Sequence, residues 1–264
     1  TEAQRETAAK LCQELQSSSL TLDLSEDQSL AIQTLEGALD GVLAAVRSSA
    51  PEEDGSGASF AGAFETKLGV TSTAKGLEEA AKECFASLWD YRVLSYKLKQ
   101  GHAALDADSI GFCTVVMEMI DSVIAGVAFS ANPLNSDRDE IVIDSSWGLG
   151  ESVVDGSVTA DRYVVDKING FKILEETIGQ KGNERRLNIG EGGGVVVKTI
   201  DETDPRYSAS SLNPEQIAEL SEMVCLVETT YGMPMDTEWA FVEDKTSATL
   251  TPKLLQAQIG RAHV

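Results

Sequence analysis

The amino-acid sequence predicts an α+β protein with two lobes, and three observations support this class. The chain has 264 residues, of which 42% are hydrophobic, so it can bury a full core in one large domain or two small lobes. Helical periodicity dominates up to a polar break at residues 102–109, and short β-rich runs separated by turn residues dominate after it. We therefore expect an N-terminal lobe at 1–110 and a sheet-rich lobe at 111–257.

The N-terminal lobe is predicted to consist mainly of helices. Apolar residues recur with helical periodicity in 3–16 and 25–40, and the longer segment 74–100 shows the pattern of one long amphipathic helix. Ser25, followed three residues later by Gln28, is placed to form a capping box at the start of the second helix.

The sheet-rich lobe is predicted from five β-rich runs, one helix and a closing pair of strands. The runs are 112–120, 125–132, 139–148, 161–167 and 171–177. The helix has Asn213 as N-cap and Pro214 as its first residue, and it ends at Gly232. Residues 235–242 and 248–257 are expected to pair as a hairpin.

The charge of the chain excludes some classes of ligand. The 21 basic and 43 acidic residues give a formal net charge of -22. Nucleic acid is not an expected partner, because binding by counterion release needs clustered basic residues. A small anion such as a nucleotide is compatible, since a few arginines, backbone amides and a divalent metal can outweigh the global charge locally.

The cysteines and the N-terminal residues bear on the cellular compartment. The four cysteines form no CxxC pair, which predicts reduced, mostly buried thiols rather than a zinc cluster or a disulfide framework. Residues 1–15 lack the apolar core of a signal peptide, and no run reaches the roughly 20 apolar residues that a membrane span needs. We expect a soluble cytoplasmic protein, with an organelle such as the plastid as the alternative, and no membrane partner.

Two carboxylates near the end of the chain are spaced for metal binding. Asp236 and Glu238 are two residues apart on a predicted strand, so their side chains point to the same face. Two such carboxylates repel unless a cation lies between them, and oxygen ligands suit Mg2+. Gln256, on the facing strand, is placed to add a neutral oxygen. The alternative is a solvated strand face.

The segment SSWGLGE places two glycines before an acidic residue. Gly148 and Gly150 let the backbone approach a ligand closely, and Glu151 is placed to accept hydrogen bonds from that ligand. The spacing lacks the third glycine of the dinucleotide fingerprint. The alternative is a tight turn before a helix or strand.

Arg47 follows an apolar run at 42–46, which is predicted to be a buried strand. A guanidinium fixed there is suited to bind phosphate oxygens, and Gly62 and Thr66 offer amide and hydroxyl donors after it. The intervening segment has no Gly-Lys-Ser/Thr and so does not match the Walker pattern. The alternative for Arg47 is an ion pair with one of the many acids.

Residues 115–122 have the pattern of a strand that runs into a connector between the lobes. The backbone of such a connector can pair with the edge of an adenine, which leaves Met119 and Ile120 to pack against the ring. The alternative for both side chains is packing in the core.

Seven segments of the chain, taken in order, form a specific combination. They are VRSSA at 46–50, ASFAGAFET at 58–66, FASLWDYRVLSY at 85–96, AGVAFSANP at 125–133, EIVIDSSWGLGESVVDGSVTADRYVVDK at 140–167, PMDTEWA at 234–240 and LLQA at 254–257. In this combination the chain resembles the ATP-binding domain of the phosphoenolpyruvate synthase and pyruvate, phosphate dikinase family. Its WGLGE and VTADRYVVDK forms are closer to the synthase and to rifampicin phosphotransferase than to the dikinase.

The resemblance implies an ATP-grasp fold, with ATP held between the two lobes and Mg2+ between its phosphates and the carboxylates. It also implies a role for each candidate residue. The implied roles are phosphate binding and catalysis for Arg47, a second phosphate contact for Arg92, a covering loop that includes Gly62 and Thr66, a nucleoside contact for Glu151, and magnesium binding for Glu238 and Gln256 with Asp236 beside them.

In this family ATP phosphorylates a histidine on a separate domain, which then delivers the phosphate to pyruvate, or to the drug in rifampicin phosphotransferase. Neither His102, in the polar break, nor His263, in the tail, fits this carrier role. The leading hypothesis is the ATP-binding domain of a phosphoenolpyruvate synthase-like phosphotransferase, with histidine and pyruvate-binding domains as partners in the complete chain. The alternatives are a rifampicin phosphotransferase-like domain and a non-catalytic acidic module that binds a metal or a protein.

Three departures from the family pattern are visible. The N-terminal Gly-Gly-Lys segment, whose lysine reaches the phosphates, is absent, which predicts weaker ATP binding by this chain. Glu118 stands where relatives often have a basic residue. Residues 258–264 resemble a translated sequencing adapter and place Gln258 where the family has an arginine. We therefore expect a doubtful tail from 258 and a chain that is part of a longer protein.

Overall fold

The computed structural model describes residues 2–50, 64–99, 111–190, 192–244 and 247–260. The chain forms two compact units. The first unit comprises 1–119 and 188–194, and the second comprises 120–187 and 195–264. Both units combine helices with antiparallel strands, which confirms the predicted mixture of α and β structure.

The first unit contains four helices and a three-stranded sheet within its described residues. In chain order the elements are α1 (Glu2–Leu20), α2 (Glu26–Leu39), β1 (Ala44–Ser49), β2 (Thr66–Val70), α3 (Ala74–Ala86), a 3-10 turn (Ser87–Trp89), α4 (Tyr91–Lys99) and β3 (Cys113–Glu118). The strand order is β2-β1-β3, and both pairings are antiparallel. The central strand β1 is thus paired on both sides.

The core of the first unit forms where α2 and α3 cover one face of its sheet. Its buried members are Ile32, Ala44, Val46, Leu77, Ala80 and Cys84. The predicted capping box is confirmed, because the Ser25 hydroxyl accepts from the backbone N–H of Gln28 while the Gln28 side chain accepts from the backbone N–H of Ser25. The sequence therefore specifies the start of α2 locally.

The prediction of one long helix over 74–100 is wrong. Helix α3 ends at Ala86, and α4 starts only after Asp90, whose backbone is extended with ψ 132°. The Asp90 carboxylate accepts a hydrogen bond from the backbone N–H of Arg92 at 2.7 Å. Aspartate competes in this way with helical backbone bonding and favours helix starts. The apolar periodicity continues across the break, and so it does not reveal the interruption.

The second unit is built on a six-stranded antiparallel sheet. In chain order its elements are β4 (Ile124–Phe129), β5 (Glu140–Trp147), α5 (Glu151–Val154), β6 (Asp161–Asp166), β7 (Lys172–Thr177), β8 (Asn183–Leu187), β9 (Val195–Thr199), a 3-10 turn (Pro205–Tyr207), α6 (Pro214–Tyr231), β10 (Met235–Glu243) and β11 (Leu250–Ile259). The order in the main sheet is β11-β10-β4-β5-β6-β7, and β8 pairs separately with β9. The β8–β9 pair was not predicted from the sequence.

Helix α6 covers one face of the six-stranded sheet. The buried core includes Ile217, Leu220 and Val224 from α6, which pack with Trp239 and Phe241 of β10 and with residues of β4, β5 and β6. The helix boundaries agree with the prediction. Asn213 caps the helix through a capping box, Pro214 is its first residue, and Gly232 ends it in a left-handed conformation with φ 70°. The opposite face of the sheet carries the alternate residues of each strand, among them Asp236, Glu238 and Asp144.

A buried ion pair lies at the β6 end of the second unit. Lys181 and Asp161 have fully buried side chains, and the Lys181 Nζ lies 2.5 Å from Asp161 Oδ1. The other carboxylate oxygen accepts hydrogen bonds from the backbone N–H and the hydroxyl of Ser211. Every partner of Asp161 is thus a donor, as a buried carboxylate requires.

Candidate functional site

Arg47 and Thr66 lie directly opposite each other on neighbouring strands of the first unit. Arg47 is on β1 and Thr66 is the first residue of β2, and the antiparallel register pairs them. Directly opposed residues have Cβ atoms about 4.5 to 5.5 Å apart on the same face of the sheet. Val46 packs in the core under the helices, so Arg47, the next residue along β1, points away from them. Gly62 lies outside the described residues.

Arg92, the second predicted phosphate contact, lies in the first turn of α4. Its side chain is 87% exposed and forms an ion pair with Asp90 at 3.1 Å. The hydrogen bond and charge of Asp90, followed by the charge of Glu65, raise the pKa of Arg92. Since Glu65 directly precedes Thr66, Arg92 is within electrostatic range of the start of β2.

The two predicted adenine contacts lie where the chain passes from one unit to the other. Met119 is the last residue of the first unit before the crossing, and Ile120 is the first residue of the second. The backbone N–H of Met119 donates to the carbonyl of Leu43 at 2.8 Å. Both side chains are half-buried. Glu118, the last residue of β3, is exposed.

The predicted metal ligands lie together on the face of the second unit's large sheet that is opposite α6. Met235, Thr237 and Trp239 are buried, and the alternating positions Asp236 and Glu238 are half-buried. Glu238 lies directly opposite Gln256 of β11 in the register. The two carboxylates and the amide are therefore on one face of two neighbouring strands.

The row of residues that starts at Gln256 and Glu238 continues across the sheet. Val127 is opposite Glu238, Asp144 is opposite Val127, and Arg162 is opposite Asp144. The Arg162 guanidinium donates two hydrogen bonds of 2.7 Å to the Asp144 carboxylate. The hydrogen bond with Asp144 raises the pKa of Arg162. This pair was missed by sequence reasoning, because alternation along one strand does not show which residues face each other across strands.

The turn at Gly148–Gly150 packs on one end of the same face. Ala125 of β4 is opposite Ala240 of β10, two residues after Glu238 and on its side of the sheet. A Cβ added to Gly150 would lie 3.5 Å from the Ala125 Cβ, so the turn packs directly on this face. Gly148 has φ 80°, and a Cβ there would lie 2.2 Å from the Arg185 carbonyl oxygen. Only glycine fits at position 148.

Glu151 is the first residue of α5, and its carboxylate is paired with Arg185 of β8. The Arg185 Nη1 lies 2.6 Å from Glu151 Oε2, and its Nη2 lies 2.6 Å from Asp155 Oδ2. Burial alone would lower the pKa of Arg185, but the hydrogen bonds and charges of the two acids outweigh it and raise that pKa. Sequence reasoning missed Arg185. The sequence feature that could have indicated Arg185 is the adjacent arginine pair 185–186 in a strongly acidic chain.

The oxygen-bearing side chains on the sheet face opposite α6 are of a type that fits a hard divalent cation. Asp236 and Glu238 supply carboxylate oxygens and Gln256 supplies an amide oxygen, a type of set that binds Mg2+ when waters and phosphate oxygens complete the shell. Within the described ranges there is no group of three or more His, Cys, Asp or Glu residues that could hold a metal ion by itself. In the same part of the chain, no helix has the length and apolar character needed to span a membrane.

Comparison with known families identifies the chain. Residues 1–259 match the family described as pyruvate phosphate dikinase, AMP/ATP-binding domain. The chain belongs to this family. The resemblance predicted from the seven segments is confirmed.

Named relatives share the domain. A probable phosphoenolpyruvate synthase of Pyrococcus horikoshii is 42% identical over 207 residues, which cover 78% of this chain and 25% of the relative. The phosphoenolpyruvate synthase of Pyrococcus furiosus is 42% identical over 205 residues, covering 77% of this chain and 24% of the relative. The prodigiosin synthesizing transferase PigC of Serratia marcescens is 38% identical over 209 residues, covering 78% of this chain and 22% of the relative. The chain therefore spans about a quarter of the length of the synthases that it matches.

Proposed function

We propose that this chain is the ATP-binding part of a phosphoenolpyruvate synthase-like phosphotransferase. The observation that carries the proposal is the cross-strand pairing of Glu238 with Gln256, beside Asp236, on the face of the second unit's sheet opposite α6. Family membership supports ATP as the ligand. The side chains on this face are of the kind that would bind the cation that accompanies the phosphates of ATP. The predicted ATP-grasp fold, with the nucleotide between two lobes, belongs to the same proposal.

The first unit contributes the phosphate-binding side chains in this proposal. Arg47 and Thr66 are opposed on β1 and β2, so a guanidinium and a hydroxyl point to one face and can donate to the same phosphate group. Arg47 is the proposed catalytic residue, because its charge stabilises the negative charge that shifts during phosphoryl transfer. Gly62 and Arg92 are proposed as further phosphate contacts, and Met119 and Ile120 as the residues against which adenine packs.

The second unit contributes the metal ligands and a nucleoside contact. Asp236, Glu238 and Gln256 would hold Mg2+, which when bound neutralises charge on the phosphates. Glu151 would accept a hydrogen bond from the nucleoside. The chain's own residues thus bind ATP and orient its terminal phosphate.

In the complete protein, the ATP bound by this chain would be the donor in a phosphoryl-transfer reaction. We propose that the phosphoryl group passes to a histidine on a separate domain and then to pyruvate. The name phosphoenolpyruvate synthase, which the two Pyrococcus relatives carry, supports the final product and not the histidine step. The prodigiosin synthesizing transferase has a similar domain, and its name indicates a different product, which supports the proposal that domains other than this one select the final acceptor. A cytoplasmic location is part of the proposal.

Calorimetric titration of the chain with ATP, with and without Mg2+, tests this function. We expect Arg47→Ala to weaken binding by more than about tenfold, since hydrogen bonds to charged groups contribute roughly 1.5 to 3 kcal/mol. Arg5→Ala is the matched control, because Arg5 is an exposed arginine of α1 in the same unit. No binding by the unaltered chain, or equal binding by both variants, would contradict the proposal.

The metal site is tested by comparing two glutamates of the same strand. Glu238→Ala is expected to remove most of the difference in ATP affinity between solutions with and without Mg2+. Glu243→Ala, at the exposed end of β10, should retain that difference. A Glu238→Ala variant that responds to Mg2+ as strongly as the native chain would show that the cation is bound elsewhere.

A further inference from the structure

Arg185 contacts the Gly148–Asp155 segment at four points. Its side chain holds Glu151 and Asp155, each at 2.6 Å. Its carbonyl oxygen accepts from the backbone N–H of Leu149 at 2.9 Å, and its backbone forms a parallel bridge with Gly148. One residue of β8 thus fixes both ends of the turn and short helix that carry Glu151.

Helix α5 is too short to be stable by itself. It is four residues long, and its N-cap residue Gly150 has no side chain with which to cap it. A single turn of helix is unstable alone, because nucleation costs more than one hydrogen bond returns. The Arg185 guanidinium bridges Glu151 and Asp155, which are four residues apart and hence on the same side of the turn. The position of the Glu151 carboxylate is therefore set mainly from β8.

The paired carboxylate is still able to bind a ligand. The ion pair uses Oε2 of Glu151, and the Glu151 side chain is 42% exposed, whereas that of Arg185 is 20% exposed. A carboxylate only accepts hydrogen bonds, so its partner on a nucleoside must be a donor. The ribose hydroxyls are such donors, and their loss in a deoxynucleotide would leave the carboxylate without that bond.

We propose that Arg185 is a positioning residue that holds Glu151 to accept a hydrogen bond from a ribose hydroxyl, and so makes the site prefer ribonucleotides to deoxyribonucleotides. The inference rests on the proposed ATP-binding function. Arg185 itself does not contact the nucleotide in this arrangement. Its effect is transmitted through the Glu151 carboxylate alone.

Affinities for MgATP, 2′-deoxy-ATP and 3′-deoxy-ATP, measured by calorimetry, test the proposal. The unaltered chain is expected to prefer ATP over at least one deoxy analogue by about tenfold or more, the range of a hydrogen bond to a charged group. Arg185→Met should reduce this preference to below about threefold, as Glu151→Ala should. The double variant should show no further reduction, because both changes remove the same interaction.

Arg186→Met is the matched control. Arg186 is the next residue of β8, its side chain is 22% exposed, and it pairs with Glu184 instead of Glu151. It also donates to the carbonyl oxygen of Ser122 at 2.9 Å. Its replacement removes an arginine with similar burial, and the preference for ATP should be unchanged whatever its effect on stability. Arg185→Lys serves if Arg185→Met does not fold, since one ammonium retains charge but cannot bridge both acids as a planar fork does.

The outcomes separate this inference from the proposed function. A chain that binds ATP and both deoxy analogues equally overturns the inference and leaves ATP binding in place. An Arg185→Met or Arg185→Lys chain with the full native preference also overturns it. A loss of preference in Arg186→Met would show that the effect is general to β8. A native chain that does not bind MgATP overturns both proposals.

Discussion

The two units place their candidate ligands on sheets of different size. In the second unit, Asp236 and Glu238 lie on an inner strand of a six-stranded sheet with the α6 core beneath it. In the first unit, Arg47 lies on the central strand of a three-stranded sheet over a smaller core. The candidate metal ligands are thus supported by a larger packed layer than the candidate phosphate ligand. Strand pairing across a six-stranded sheet therefore fixes the positions of Asp236 and Glu238, whereas the position of Arg47 depends on two short strand pairings.

The units also differ in how they use charge. The second unit buries the Lys181–Asp161 pair completely. Within the described residues of the first unit, the ion pairs of Lys67 and Lys75 are at least partly exposed. The side chains of Lys67 and Glu83 are 35% and 47% exposed, and those of Lys75 and Glu79 are 84% and 63% exposed. Breaking a buried pair leaves an uncompensated charge, and breaking an exposed one does not.

The largest effect is expected from Lys181→Met, which leaves the buried Asp161 carboxylate charged and without its ammonium partner. The free energy of unfolding should fall by about 3 to 5 kcal/mol, measured by urea denaturation. Lys75→Met, the exposed control in the first unit, should change it by less than about 0.5 kcal/mol. Adding Asp161→Asn to Lys181→Met should restore part of the loss, because the buried charge is then removed. Equal effects of the two lysine variants would invalidate the contrast between the units.

An intermediate effect is expected at alkaline pH in the first unit. Burial raises the pKa of the Cys84 thiol from its usual value of 9.0 to about 11. Because this pKa is higher in the folded chain, the stabilisation by the protonated thiol is complete below pH 9 and is lost as the pH rises through 11. The free energy of unfolding should therefore fall across this window by about 2 to 3 kcal/mol more in the native chain than in Cys84→Ala. Parallel pH profiles for the two chains would contradict the assignment.

The smallest effect concerns the two capping boxes, one in each unit. Asn213→Ala and Ser25→Ala should each reduce the free energy of unfolding by about 1 kcal/mol, because a cap satisfies local backbone donors whatever its helix packs against. Thermal or urea unfolding provides the measurement. Asn213→Asp and Ser25→Asp are the controls, since both retain a cap oxygen and should cost much less. A large difference between the two alanine variants would mean that the contribution of a cap to the free energy of unfolding also depends on the size of the layer against which its helix packs.

Much of the fold could be predicted because its signals are local. The caps of α2 and α6, the end of α6 at Gly232 and the strands of the main sheet follow from residue patterns within short windows. The break at Asp90 was not predictable from periodicity, since both α3 and α4 continue the apolar pattern. Strand β8 was missed because it carries charged residues such as Arg185 and Arg186 in place of clear alternation. Its partner β9 was missed although it begins with three valines, a short run that is typical of a strand.

The candidate site was predictable only in part, because only some of its features depend on residues that are close in sequence. The spacing of Asp236 and Glu238 predicts that their side chains lie on the same face of the sheet, and in the structure Glu238 is opposite Gln256. The Asp144–Arg162 pair and the contact of Arg185 with Glu151 depend on which strands are neighbours in space. No local pattern encodes that arrangement, so the supporting residues of the site emerge only from the folded chain.

The strand order described above leaves β7 and β11 at the two margins of the large sheet. Unpaired margins of this kind can recruit strands from other molecules and start aggregation. Strand β7 carries Glu175 and Glu176, and β11 carries Pro252, which has no N–H to donate. Repulsion at one margin and a missing donor at the other should oppose intermolecular strand addition, and so help to keep concentrated solutions of this domain clear.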